Sequence, residues 1–498
     1  MAVSRMIFAL ALMALAGPAA AQHQGHDGAA IQSAPAIANP YQRGLYLLHN
    51  FEYGTAAAAF REAQKADPSN VMAYWGEAMT YNHPLWAEQD AAAARAALAR
   101  LGPTPAARRS KARSTREASW LDAVEALYGT GSKLERDAAY RARMQALFEA
   151  DPSDIDARTF FALATLGLSS HGRDTALYMK SAALLEEAMP AHPDHPGLLH
   201  YMIHSYDDPA HAPLGERAAG RYAKVAPDAG HAQHMISHIY LALGRWDEVE
   251  RANMVADRVV DAQRAASGMP PTSCGHYNEW LAYALDQQGK DSRSLIESCR
   301  VEALAAAARN EDKSVLGSAR NAFNNWAGIA VRHGVDTGQW PPANAVPTGD
   351  QALMGRFTLA YGRVLASRRD ASAAAAALDE MRAYRTRIAS AMPSERPDDH
   401  ETAAWLDRGV AQAEAVLALS RDEQDGGLAM LRAAAEAEAA LPVPFGPPVL
   451  AKPSAELLGD ELLAIGRKAE AASAYRQALA AAPNRQHSVE GLRQSAGP

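Results

Sequence analysis

The chain has 498 residues, 48% of them apolar, with a formal net charge of −8, which is enough apolar material for several cores or one long repeated core. That mild acidity argues against a nucleic-acid partner, which would need a concentrated basic face. Beyond the N-terminal segment no run is apolar for long enough to cross a bilayer.

Residues 1–21, "MAVSRMIFALALMALAGPAAA", read as a secretory leader. Arg5 is a minimal positive head, the apolar core is of signal length, and Ala19-Ala20-Ala21 supplies an A-x-A cleavage site. The mature chain is expected to begin at Gln22 and to be periplasmic or secreted, with no cysteine near the cut to carry a lipid. Residues 22–36 form a flexible lead-in, where His23 and His26 read as a mobile polar tail.

A repeating order then begins: small, large, aromatic, small, aromatic, small, proline. Gly44, Leu47, Tyr53, Ala56, Phe60, Ala63 and Pro68 show it first. Pro152, Pro193 and Pro227 close further copies, and Gly244 and Gly289 suit turns between paired helices, with a short insertion around "SGMPPTSC". Residues 37–330 are therefore expected to be one repeat array, followed by a Pro/Gly-rich loop at 331–350. Residues 351–440 are alanine-rich and read as divergent helical pairs. Residues 441–498 begin with "LPVPFGPPVLAKP", which cannot be helix interior and is expected either to cap the stack or to fold over its groove. The last copy follows with Gly459, Leu462, Ala471, Tyr475, Ala478 and Pro483, and its turn glycine Gly466 lies near where the first copy has Tyr53.

These units resemble the tetratricopeptide (TPR) repeat of 34 residues, a helix-turn-helix in which small residues let two antiparallel helices approach. The resemblance covers residues 37–85, 135–300 and 454–484, about half of the chain. "AYWGEAMTYNHPLW", "HSYDDPAHA" and "HAQHMISHIYLALGRW" resemble motifs of a group of exported bacterial TPR proteins. What this implies is an all-α superhelix, a solenoid of antiparallel helix pairs whose first helices line a concave groove. It carries a fold and no activity.

"HAQHMISH" places His231, His234 and His238 on one helical face, since i, i+3 and i+7 point the same way. With Pro68 and Pro483 set at repeat position 32, these are positions 2, 5 and 9. The preceding repeat has His200 and His204 at positions 5 and 9, and the following one has His276, Glu279 and Tyr283 at positions 2, 5 and 9. Six histidines and one glutamate from three neighbouring helices thus share a surface. His49 and His83 both count to position 13, another groove position by the resemblance, and Trp75 counts to position 5; Asp207 and Asp208 follow His204.

Three readings of the patch stay open. Imidazole is the commonest transition-metal ligand, so His200, His204, His231, His234, His238, His276 and Glu279 are candidate ligands for zinc, copper or iron. One such set is His200, His204, His234 and His238; another is His231 and His276 with Glu279 as a 2-His-1-carboxylate arrangement. Alternatively the same face is a polar groove for a peptide or small ligand, with His49, Trp75, His83, Asp207 and Tyr283 on its walls, or the imidazoles serve only to pack helices. Cys274 and Cys299 are expected to pair across a helical hairpin in an oxidising compartment; the alternative makes Cys274 a soft ligand beside His276. No G-x-S-x-G, H-E-x-x-H or Walker A motif is present, and "DEQDGG" lacks the glutamate that completes an EF-hand loop.

The first functional expectation is therefore an exported binding or scaffold protein, holding a protein segment, peptide or small ligand in its groove. The second is a metal-binding protein or metal-dependent enzyme, an oxidoreductase or hydrolase. An array with divergent terminal units is expected to be a monomer.

Overall fold

The structure, a computed structural model, describes residues 37–496 apart from 170–171, 310–311, 313, 318–320, 343–350 and 393–396. The leader, the lead-in with His23 and His26, and residues 343–350 of the expected 331–350 loop lie outside the described residues. Among those described, 23 α-helices, a 3-10 turn at Pro84–Trp86 and one hairpin of two-residue strands make up the fold, and no helix is long and apolar enough to cross a membrane. The protein is an all-α, TPR-like solenoid.

The first half runs α1 (Pro40–His49), α2 (Tyr53–Ala66), α3 (Val71–Met79), the pair β1 (Asn82–His83) and β2 (Glu88–Gln89), α4 (Ala91–Leu101), the one-turn α5 (Pro105–Arg109), α6 (Thr115–Leu127), α7 (Lys133–Ala150), α8 (Ile155–Leu166) and α9 (Thr175–Ala188). The middle is α10 (Pro196–Tyr206), α11 (Ala212–Val225), α12 (Gly230–Ala242), α13 (Trp246–Ala266), α14 (His276–Gln287), α15 (Arg293–Arg309) and α16 (Ala322–Thr337). The C-terminal part is α17 (Leu353–Ala366), α18 (Ala371–Ala391), α19 (Pro397–Ser420), α20 (Gln424–Ala439), α21 (Ser454–Ala464), α22 (Lys468–Ala481) and α23 (Gln486–Ser495).

The repeat's packing rule is visible at both ends. Phe60 of α2 sits between Gly44 of α1 and Gly76 of α3, where an added Cβ would come within 2.8 Å and 2.3 Å of its ring. Tyr475 of α22 is held likewise by Gly459 of α21 and Gly491 of α23, at 2.8 Å and 2.2 Å. The aromatic fills the groove that two missing side chains leave, so three helices approach closely. Caps start many helices: Asn39, Asn70, Asp90, Ser114 and Asp154 each accept a backbone N–H of the following first turn.

Two boundaries differ from the sequence reading. Helix α16 continues to Thr337, into the segment expected to be loop from 331, because Gly334 receives the indole of Trp340 and Gly338 then ends the helix at φ 75°. In the first copy the residue equivalent to Gly466 is Phe51, not Tyr53: Phe51 has φ 57° in the turn between α1 and α2, and Gly466 has φ 80° in the turn between α21 and α22.

The superhelix returns upon itself. At the N-terminal end α1 packs on α10 and reaches α11, with Tyr46 Oη donating to the carbonyl of Val225 and Tyr222 Oη donating to Asn50. At the other end Trp246 Nε1 donates to the carbonyl of Asn484, and the guanidinium of Arg485 reaches Tyr283, Asp336 and Glu456. The proline-rich segment 441–453 runs across the inner face: Phe445 stacks on Tyr178 and under Arg173, and Gly446 abuts Trp280. Both ends and the strap thus converge on α10, α12 and α14, the helices that carry the histidine patch.

Candidate metal centre

The six histidines form two triads of one design. In the first, His200 and His204 lie one turn apart on α10 and His231 comes from the start of α12; the Nε2 of His200 is 3.2 Å from the Nε2 of each partner. In the second, His234 and His238 lie one turn apart on α12 and His276 opens α14; the Nε2 of His234 is 3.0 Å from that of His238 and 3.1 Å from that of His276. Positions 5 and 9 of one repeat are therefore completed by position 2 of the next, twice in succession. Nitrogens bound tetrahedrally to one ion at ~2.0–2.1 Å would stand ~3.3 Å apart. The ligand atoms within each triad lie within 4.8 Å of one another.

The second ring nitrogens decide what the first can be. His200 Nδ1 is 2.7 Å from the carbonyl oxygen of His49, which can only accept, so Nδ1 carries the proton. Asn253 donates its amide to the carbonyl of Val249, which turns its oxygen toward His234 Nδ1 at 2.7 Å; that nitrogen also donates. His238 Nδ1 donates to the Asp207 carboxylate at 2.6 Å. In a neutral ring Nε2 is then a bare lone pair. With both rings neutral, His234 and His238 aim two lone pairs at each other across 3.0 Å, and neither donates to the other. A proton between them would require an imidazolium, and burial, with the His276 and His238 rings alongside, pushes His234 well below the usual imidazole range. Burial likewise lowers His200 to about 3. A cation held between such nitrogens would accept both lone pairs. Nδ1 held by a carboxylate, an amide or a backbone carbonyl is also how metal-bound histidines are oriented.

A third cluster, His49, Asp156 and His195, shows the contrast. There His195 Nδ1 accepts the backbone N–H of Leu198 at the start of α10, so its Nε2 donates to Asp156 Oδ1 at 3.3 Å. His49 Nε2 reaches the same oxygen at 3.2 Å, with Tyr201 Oη on its Nδ1. Donors and acceptor match, and the cluster is satisfied as a hydrogen-bond network without an ion. Its place is structural: it fixes α1 to α8 and α10, and so the His49 carbonyl that orients His200.

Both triads are sealed by aromatic rings. Phe51 lies edge-on to His200 with centroids 4.3 Å apart and stacks on His204 and His231 at 5.9 Å and 5.7 Å. Trp280 lies 4.7 Å from His234 and 4.5 Å from His238. Four of the six imidazoles are no more than 2% exposed and His231 is 3% exposed, while the His276 side chain is 19% exposed, so the first triad is dry and the second meets solvent at His276. The two triads adjoin, with the His204 and His238 rings 6.3 Å apart.

The remaining expected site residues are placed as follows. Glu279 is not in either triad: it pairs with Arg332 at 2.6 Å and lies 3.8 Å from His276 Nδ1. Burial alone would raise Glu279, but the Arg332 guanidinium holds its carboxyl down at about 2. The 2-His-1-carboxylate grouping with His231 and the four-histidine set are thus corrected, since His231 joins His200 and His204 while His234 and His238 join His276. Asp207 is the partner of His238. Cys274 and Cys299 are bonded to each other, so Cys274 is no ligand beside His276. Trp75 packs edge-on against Trp120 and Phe160 at 1% exposure, and Tyr283 is held by Arg485 at 2%. His83 does not share a helical position with His49, because α3 stops at Met79 ahead of Pro84; it stacks on Tyr53 in the β1–β2 hairpin. The sequence reading missed Phe51, Trp280, Asn253 and the His49 carbonyl. Only Phe51 left a signal, an aromatic where other repeats carry a turn glycine.

No family model matches the chain, and no curated protein matches it. Among solved structures, the chain is similar to the human IFIT1 dimer with m7Gppp-AAAA, at 13% identity and TM-score 0.38, covering 96% of this chain and 98% of that one. It is also similar to the APC/C hetero-tetramer Cut9-Hcn1, at 10% identity and TM-score 0.36, covering 92% and 75%. The P58(IPK) TPR domain follows at 12% identity and TM-score 0.22, covering 93% and 98%.

Proposed function

We propose that this is an exported metal-binding protein that holds two transition-metal ions, one in each histidine triad, with copper the ion that the donor set favours. The observation that carries the proposal is the convergence of Nε2 lone pairs on a common point with every assigned Nδ1 proton spent elsewhere. Three protein ligands leave a coordination position open, as catalytic rather than closed structural sites do. The donors are all imidazole nitrogens in a largely buried place, and among divalent ions such nitrogen sites bind copper most tightly. Copper would supply one-electron chemistry, which makes an oxidoreductase the reaction class this reading supports. The apolar leader and the Cys274–Cys299 bond support an oxidising, extracytoplasmic setting. A peptide groove on the histidine face has less support, because the imidazoles are buried and the 441–453 strap lies across that face.

Elemental analysis of the exported chain, prepared without a histidine tag, tests this. The expected result is about two ions per chain, about one in His204→Ala or His238→Ala, and close to none in the double variant, each with an unchanged circular dichroism spectrum. Wild-type protein that takes up no copper, zinc or iron on reconstitution, or metal content indifferent to these substitutions, sinks the proposal.

A further inference from the structure

Beside the second triad lies a partly open cavity of about 340 Å³, within the size range of small-molecule sites. The strap supplies one wall with Pro442, Val443, Pro444 and Pro448, and Trp246, Tyr283 and Trp405 bring aromatic rings to the others. Its charged lining is of one sign: Asp207, Asp208 and Glu438 face it, and among the described residues no lysine, arginine or histidine does. Two of these carboxylates are already matched, Asp207 by His238 and Asp208 by His211 at 2.8 Å. Glu438 is different. It accepts the backbone N–H of Ser454, at 2.8 Å, and the hydroxyl of the same residue, and has no basic partner among the described residues. Burial raises its pKa, as expected of a carboxyl waiting for a counter-charge.

We infer that this cavity binds a small organic cation, an ammonium group on an aromatic or aliphatic body, with Glu438 as the counter-ion and the tryptophan and tyrosine rings around the apolar part. An acidic lining rejects carboxylates and phosphates, apolar walls reject inorganic cations that must keep their water, and aromatic faces attract ammonium groups. The site reaches the metal centre through two residues. Asp207 borders the cavity and orients His238, and Gly446 on its wall abuts Trp280, which covers the same imidazole. The inference does not depend on a metal being present.

Calorimetric titration of the full chain, as purified and after chelation, with three probes of one shape tests it: phenethylamine, 2-phenylethanol and 3-phenylpropionate. Phenethylamine is expected to bind at least about ten-fold tighter than the alcohol, with no saturable binding of the carboxylate. Glu438→Gln should bring amine and alcohol within about two-fold of each other, and Val443→Trp, which fills the cavity, should abolish binding of both with the fold retained. Equal binding of the three probes, no binding of any, or an amine preference that survives both substitutions overturns the inference. Because the chelated chain is measured too, its failure is separate from any failure of the metal proposal.

Discussion

At residue scale the most informative position is Phe51. It occupies the left-handed turn position that Gly244, Gly289 and Gly466 hold in other repeats, and a non-glycine residue there costs ~1–2 kcal/mol. What that strain secures is a ring over His200, His204 and His231. Phe51→Gly should relieve the backbone yet destabilise the protein by about 2 kcal/mol, since deleting a buried phenylalanine costs ~3–5 kcal/mol. Urea unfolding measures this. A chelator should also extract the ion of the first triad faster while that of the second is unaffected; an unchanged or increased stability would show that the ring is not what the turn is built for. The individual histidines were legible in the sequence through their register. Their tautomers were not, because these depend on Asn253, Asp207 and a carbonyl of α1, which no local pattern connects to them.

At element scale each triad is one H-x-x-x-H face plus a histidine from the first turn of the next first helix. A ligand set of this kind exists only because successive repeats stack at a constant spacing. The 34-residue period therefore made six histidines readable as one layer, and the structure divides that layer into two groups of three. The helical hairpin behind the third member is tied by Cys274–Cys299, which closes a separation of 25 residues. Reduction is expected to cost about 3 kcal/mol of stability from loop entropy and to leave metal content unchanged, because neither sulfur is a ligand. Elemental analysis before and after reduction, with thermal unfolding alongside, checks both halves; metal lost from the still-folded reduced chain would return Cys274 to the ligand set. Element boundaries were less legible. Gly334 looks like a helix breaker in sequence, but it is helix interior because Trp340 needs the space.

At the scale of the whole molecule, the two ends and the strap bury the centre between them, and burial sets its response to acid. His200 is lowered to about 3 and His49, His234 and His276 also lie below the usual imidazole range, chiefly through loss of solvation. In the unfolded chain these groups titrate near ~6.5. Below that pH the unfolded chain takes up protons that the native chain refuses. Stability of the metal-free protein should thus be fully present above pH ~6.5 and fall as the pH drops toward 3, by up to ~1.4 kcal/mol per pH unit for each such histidine. Urea midpoints of the chelated protein between pH 8 and 4 provide the measurement, and a flat profile from 7 to 5 contradicts the buried neutral rings. Arg485 is the counterpart at the C-terminal end: at 0% exposure it is charged and matched by Glu456 and Asp336, so that closure is ionic where the N-terminal closure is aromatic.

The sequence by itself determined the helical repeat, its period, and the sharing of one face by the histidines, because those are consequences of 3.6-residue periodicity and of a proline and glycine at set intervals. Only the tertiary structure decided how those histidines group, which ring nitrogen each presents, and that the proline-rich strap encloses them. Those outcomes rest on contacts between residues on different helices, from His238 with Asp207 to His200 with His49 and Trp246 with Asn484, and the free energy of such contacts belongs to the closed superhelix rather than to any one segment of the chain.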